Sequence, residues 1–255
     1  MKKTNNALTI DINCDLGEGS TLLDGDNDAL LMPYLSSCNI ACCGHAGNVN
    51  TVDYAIKNAL QHKLKIGAHP GYPDQENFGR KSLTLSIDEV VDSLREQLDL
   101  FVSAVNENNT TLNHIKLHGA LYNDVEKDID LANVIADYFV EAFPDITLYG
   151  LAQGQFQSIC ENKNLNFLPE GFIDRRYETE VTLLSRSEPG AVITENNQCI
   201  QQALAFAKGQ PIVSSTGALI SPKVETICLH GDNENALTIA RELHHEFENY
   251  GISVG

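Results

Sequence analysis

Ile115-Lys116-Leu117-His118-Gly119 is a short apolar run, interrupted by one lysine, that ends on a histidine and a glycine. Two more stretches share its form: Ile66-Gly67-Ala68-His69-Pro70 and Ile227-Cys228-Leu229-His230-Gly231-Asp232. In parallel α/β proteins the carboxyl ends of strands open toward the ligand site, so three histidines leaving three strands are expected to meet in space. Parity sharpens this. Along Leu8-Thr9-Ile10-Asp11-Ile12-Asn13-Cys14-Asp15, the residues Asp11, Asn13 and Asp15 fall on one face and Ile10 and Ile12 on the other. The same parity joins Lys116 with His118 against Ile115 and Leu117. Strands of this kind fit a barrel wall whose outside packs on helices and whose mouth carries chemistry. A solvated surface strand alternates in the same way, but several strands that each end in Gly and His favour the barrel as a set.

Helical patterns separate these strands. Ser86-Ile87-Asp88-Glu89 has capping-box spacing, and Ile87, Val90, Val91, Leu94, Leu98, Phe101, Val102 and Val105 then recur at three and four. Shorter stripes run through Val52–Leu60, Leu131–Phe139 and Ala236–Phe247. Strands are expected around 8–13, 36–42, 64–68, 112–117, 146–151, 166–169, 211–214 and 224–229. Alternation of strand and helix over the whole length predicts a mainly parallel α/β sheet. Polar residues arriving from many strand ends, rather than one switch point, favour a closed parallel β/α barrel over an open sheet. No Pro/Gly/Ser-rich linker and no repeat divides the 255 residues, so one domain over 1–255 is expected.

The formal net charge of -18, from 35 acidic and 17 basic residues, argues against a nucleic-acid partner held by a basic surface. It leaves room for anionic small molecules, because local arginines outweigh the global field at short range. No apolar run approaches the roughly 18 residues that span a bilayer, and Met1–Asn6 lacks a following signal-peptide core, so no membrane association and a cytoplasmic location are expected. Seven cysteines include no Cys-x-x-Cys pair, which points to small buried hydrophobes rather than a zinc or redox site; Cys42-Cys43 beside His45 is the one arrangement with reactive potential. Neither Gly-x-x-x-x-Gly-Lys-Ser/Thr nor Gly-x-Gly-x-x-Gly is present, so a nucleotide used in the reaction is expected on a different polypeptide.

Seven ordered blocks carry a resemblance. They are Asp11–Gly19, Asn39–Gly47, Gly67–Pro70 with Phe78-Gly79-Arg80, Lys116–Asn123, Glu170–Arg175, Leu184-Ser185-Arg186, and Cys228–Asp232. Together they resemble the LamB/YcsF family over nearly the whole chain. The resemblance implies a seven-stranded β/α barrel of the glycoside hydrolase/deacetylase type. It also implies ATP-dependent opening of the cyclic amide 5-oxoproline (pyroglutamate) to L-glutamate, with the partner 5-oxoprolinase subunits B and C, and with Mg2+ accompanying the ATP. Where the family pattern has Asp this chain has Asn48, and where it has Pro this chain has Leu117. Loss of a carboxylate at 48 is expected to weaken any cation contact there.

A lactam is a resonance-stabilised amide, so coupling its hydrolysis to ATP is chemically sensible. Phosphorylation of the lactam oxygen followed by attack of water requires a base, a cation for the phosphoryl group and an anchor for the substrate carboxylate. His45, His69, His118 and His230 are acid/base candidates. Lys116, Arg175 and Arg186 suit a carboxylate or phosphate. Asp11, Asp15, Glu18, Asp174 and Asp232 are placed to orient the histidines or bind a divalent cation, and Asn13 and Glu170 join the substrate-binding set. The bound metal, if one is used, is left unspecified. Asp11 and Asn13 also suit buried loop caps, and Arg80 and Arg186 suit ties between loops and carboxylates. His62, His114, His244 and His245 are expected on the surface. Two further readings stay open: a metal-dependent deacetylase-like hydrolase of the same barrel type, and a non-catalytic component that holds substrate for its partners.

Overall fold

In β1 (Leu8–Leu16) the alternation takes the expected form: Ile10, Ile12, Cys14 and Leu16 join the hydrophobic core, while Asp11, Asn13 and Asp15 turn to the other face and are also buried. The structure, a computed structural model, describes residues 8–255; the Met1–Asn6 segment lies outside them. Strands β2 (Ser37–Ala41), β3 (Lys65–His69), β4 (His114–Lys116), β5 (Thr147–Leu151) and β6 (Asn166–Phe172) follow in parallel, each paired with the one before. A later strand, β11 (Thr226–Cys228), pairs with both β6 and β1, with Asp11 opposite Thr226 and Asn13 opposite Cys228. That closes a seven-stranded parallel barrel, as expected.

Helices fill the connections: α1 (Leu22–Leu31), α2 (Val49–Gln61), α3 (Ile87–Glu107), α4 (Gly119–Asp124), α5 (Ile129–Ala142), α6 (Gln155–Asn162), α7 (Asn196–Ala207) and α8 (Ala236–Tyr250). The Ser86 hydroxyl accepts the Glu89 N–H and the Glu89 carboxylate accepts the Ser86 N–H, which is the capping box read from the sequence. Such a cap stabilises by about 1 kcal/mol. The apolar stripe behind it contributes more, because Leu94, Leu98 and Phe101 are fully buried and each is worth roughly 1.5–3 kcal/mol. Among the described residues no helix is long and apolar enough to cross a membrane.

One strand departs from expectation. Residues 211–214 supply only β9 (Ile212–Val213), which pairs antiparallel with β10 (Leu219–Ile220) outside the barrel. Alternation there extends over too few residues to hold a wall position, and β11, the strand expected around 224–229, closes the wall. Two more pieces have no clear periodic signal: the hairpin of β7 (Tyr177–Thr179) with β8 (Thr182–Leu183), and β12 (Ile252–Val254), which adds alongside β1.

Candidate active site

The barrel lumen is polar. At its amino end the Asp11 carboxylate accepts from the hydroxyls of Ser36 (2.9 Å), Ser37 (2.6 Å) and Thr226 (2.6 Å) and from Lys65 Nζ (3.3 Å). Asp11 is therefore not a mouth residue. As the first lumen residue of β1 it sits at the end opposite Asp15, and its acceptors are filled by strand-bound donors. One layer up, Asn13 donates to Glu170 Oε1 (2.9 Å) and Thr226 Oγ1 (2.7 Å) and accepts from Asn39 Nδ2 (2.8 Å). Glu170, fully buried, also takes the Tyr122 hydroxyl (2.9 Å) and Lys116 Nζ (2.8 Å). Asn13 and Glu170 thus support the cavity from beneath and do not line it.

His114 is a second correction: it is fully buried, not on the surface. Its Nε2 meets Asn39 Oδ1 at 2.7 Å and its ring stacks on Tyr149. Gly67 makes this possible, since a Cβ there would lie 2.1 Å from His114 Nε2. Burial and the Lys116 charge push the His114 pKa down to about 3, so its ring is neutral. The parity rule applied to Ser37–Ala41 puts Ser37 and Asn39 on the lumen face, and that is the signal in the sequence for this chain of bonds.

Lys116, 2% exposed, stands at the cavity floor between Asp15 Oδ1 (2.9 Å) and Glu170 Oε1 (2.8 Å). Burial disfavours its ammonium, but Asp15, Cys228 and Glu170 outweigh that and hold its pKa well above the usual value. It is a permanent cation with its donors directed at protein acceptors. Burial raises the Asp15 carboxyl, yet His69 and Lys116 bring it well below the ordinary range.

At the mouth four residues from four strand ends converge. His69 Nε2 lies 3.4 Å from Asp15 Oδ2 and 3.0 Å from His118 Nδ1; His118 Nδ1 lies 3.4 Å from Glu18 Oε1. His45 stacks on His118 with centroids 3.5 Å apart, and its Nε2 is 3.1 Å from Glu18 Oε1. Burial, then the neighbouring His69, pushes His45 down to about 2; burial and the His69 and His45 rings depress His118 as well. Glu18 moves the other way, to about 7, through burial and the Asp15 charge. Gly79, at φ +59°, passes over this pair where a Cβ would come within 2.7 Å of His45 Cβ. Glu18, His69 and His118 bring three ligand-type atoms within 4.8 Å of one another. Asn48 has its side chain engaged elsewhere. Its Oδ1 caps α2 by accepting from Asn50 and Thr51, and its Nδ2 donates to the Ser20 carbonyl.

His230 comes in from the third histidine strand. Its Nδ1 bonds Asp174 at 2.7 and 3.0 Å, Phe172 stacks on its ring, and it lines the cavity. Asp174 is 2% exposed; burial raises its carboxyl, but His230, Arg186 and Arg175 together offset this and keep it below the usual range. The cavity, about 560 Å3, has one wall built from Arg175, the β7–β8 hairpin that follows it, and the segment beyond, including Arg186. Arg175 is 6% exposed; one guanidinium nitrogen donates to the Leu184 carbonyl, and its buried Nε has no partner. Burial and the adjacent Arg186 charge lower Arg175 to about 10. Arg80, also at the cavity, is paired with Asp232. The seven cysteines are free, all but Cys43 are buried, and burial raises the Cys42 and Cys43 thiols, which argues against a reactive thiolate there.

Residues 10–255 match the LamB/YcsF family model. The A-type component of 5-oxoprolinase from Bacillus thuringiensis is 38% identical over 250 residues, which cover 96% of this chain and 98% of that one. The crystal structure of the lactam utilization protein from Thermus thermophilus superposes with a TM-score of 0.89 at 29% identity, covering 96% of this chain and 98% of the other. A family 4 carbohydrate esterase from Streptomyces lividans, 10% identical with a TM-score of 0.51 over 97% of this chain and 91% of its own, shares the barrel fold alone. With the family model spanning nearly the whole chain and the ordered motifs converging on one mouth, this protein belongs to the LamB/YcsF family.

Proposed function

We propose that this chain is the A-type component of a 5-oxoprolinase, a hydrolase that opens 5-oxo-L-proline to L-glutamate with ATP and partner subunits B and C. The relatives' names support the substrate and the place in a multi-component enzyme. The observation that carries the chemistry is the Asp174–His230 pair at the cavity. A carboxylate only accepts here, so His230 Nδ1 holds the proton and Nε2 is left as the basic nitrogen. ATP with Mg2+, when bound, would supply the phosphoryl group that activates the lactam oxygen. Water then adds to the ring carbon and the C–N bond breaks. His230 takes the proton from water and returns it to the departing nitrogen, and a second water releases phosphate from the resulting acyl phosphate. Arg175 and Arg186, which line the cavity, hold the substrate's anionic group. Partnership with B and C and a cytoplasmic location belong to the same reading.

Glutamate release from 5-oxoproline tests it, using the chain alone and mixed with B and C, with and without ATP and Mg2+. Glutamate formed only with all components, and lost with His230→Gln, supports the assignment. No glutamate in any combination removes the substrate; release of acetate from an N-acetyl sugar without ATP would replace it with a deacetylase.

A further inference from the structure

His69 and His118 face each other through nitrogens 3.0 Å apart, and the opposite nitrogen of each ring is already committed. His69 Nδ1 lies 2.8 Å from the Lys116 carbonyl and His118 Nε2 lies 2.9 Å from the Phe78 carbonyl. A carbonyl oxygen only accepts, so both of those nitrogens carry the N–H. When both rings are neutral, the facing His69 Nε2 and His118 Nδ1 are bare lone pairs. Around them stand two carboxylate oxygens, Glu18 Oε1 at 3.4 Å from His118 Nδ1 and Asp15 Oδ2 at 3.4 Å from His69 Nε2. These electron-rich atoms, in a mouth where His69 is 1% and His118 5% exposed, repel unless something positive sits among them.

The spacings identify the occupant. Donors each about 2.1 Å from one ion, at roughly tetrahedral or octahedral angles, lie about 3.0–3.4 Å from each other. His118 Nδ1 lies 3.0 Å from His69 Nε2 and 3.4 Å from Glu18 Oε1, and the three atoms all lie within 4.8 Å of one another. The surroundings also have the form that orients metal ligands, with each imidazole fixed by a backbone carbonyl on its far nitrogen and Glu18 held by His45 Nε2 at 3.1 Å. We propose that Glu18, His69 and His118 form a three-ligand binding site for one divalent transition-metal ion at the mouth of the barrel, with His45 orienting Glu18. Two imidazoles with one carboxylate suit Zn2+, Co2+, Mn2+ or Ni2+ and discriminate against Mg2+ and Ca2+, which prefer oxygen alone. The site is independent of the nucleotide's Mg2+ and of the identity of the lactam.

The test uses the full chain, dialysed against a chelator and titrated with Co2+, followed by its visible ligand-field absorption and by calorimetry. One Co2+ per chain is expected, displaced by Zn2+ and unaffected by millimolar Mg2+. His69→Gln and His118→Gln should weaken binding by at least about 100-fold, more than the loss of an outer partner does, whereas His230→Gln should leave it intact. Circular dichroism and thermal unfolding establish that each variant is folded. Should the variants fail to fold, nitrogen NMR of the wild-type imidazoles decides: Zn2+ must shift one ring's Nε2 and another's Nδ1 out of the lone-pair range. Absence of saturable Co2+ and Zn2+ binding, binding retained in both folded variants, or loss confined to His230→Gln would overturn the site; a proton held between the two rings gives the first of these results.

Discussion

The two ends of the barrel lumen use the same kinds of residue and differ in whether their hydrogen bonds close. At the amino end, Asp11 is satisfied by three hydroxyls and a lysine, all from neighbouring strands or strand starts. At the carboxyl end, Arg175 Nε and His45 Nδ1 are buried without partners. Buried polar groups are normally paired, so the filled end reads as a fastening between strands and the unfilled end as a place that awaits another molecule. Burial alone does not separate them: Asp11 is 3% exposed and Arg175 6%.

The largest effect that would sharpen this contrast is at His230. His230→Gln in the reconstituted complex should reduce kcat by about 10²–10⁴, the range for loss of a general acid/base. Asp174→Asn should approach the same loss with the fold intact, because an amide that donates to Nδ1 would move the ring proton to Nε2. A rate within about threefold of wild type in either case would mean that the mouth is no more chemical than the floor. Asp11→Ala provides the opposite outcome. It strands buried hydroxyls and should cost about 3 kcal/mol in denaturant unfolding, with kcat per folded molecule unchanged within about twofold. A large drop in kcat at unchanged stability would return Asp11 to the catalytic set.

Why Asp11 resembles a mouth residue in the sequence has a physical answer. Period-two alternation assigns a face of a strand, and Asp11, Asn13 and Asp15 do share the lumen face of β1. Distance along the strand, at about 3.3 Å per residue, separates floor from mouth, and it is known only once the closing partner and its register are known. The mouth histidines are more legible, because a residue directly after a strand's apolar run leaves from its carboxyl end by construction. His114 misleads for the complementary reason. It precedes the apolar part of β4, and its burial depends on Gly67 across the sheet, a pairing that local sequence does not encode. The Arg175–Arg186 wall depends on a short hairpin with little apolar patterning, so the sequence offers both side chains as candidates without revealing that they meet.

Arg175→Lys breaks the contrast in a graded way. Lysine keeps the charge but loses the planar fork and the Nε–H, so KM for the anionic substrate should rise about tenfold with kcat within about threefold. Equal loss in kcat and kcat/KM would place Arg175 in the transition state rather than in ground-state binding.

Glu126 gives the smallest effect and the finest test, since it lines the mouth yet its bonding resembles that of the floor. Its carboxylate accepts the Phe156 N–H at 3.2 Å, capping α6, whose N-cap residue Gly154 has no side chain to do so. Burial nevertheless raises its pKa to about 7, against the lowering effect of those backbone bonds. The folded state therefore holds the proton more tightly than the unfolded chain, and this group's contribution to stability falls as pH rises from about 4.5 to about 7. Glu126→Gln keeps an acceptor for the helix and removes the titration. The difference in unfolding free energy, variant minus wild type, should climb across that interval by on the order of 1 kcal/mol after screening and stay level above it. A difference that is flat throughout would mean that Glu126 ionises as freely as a surface carboxylate, leaving the helix cap as its only contribution at the rim.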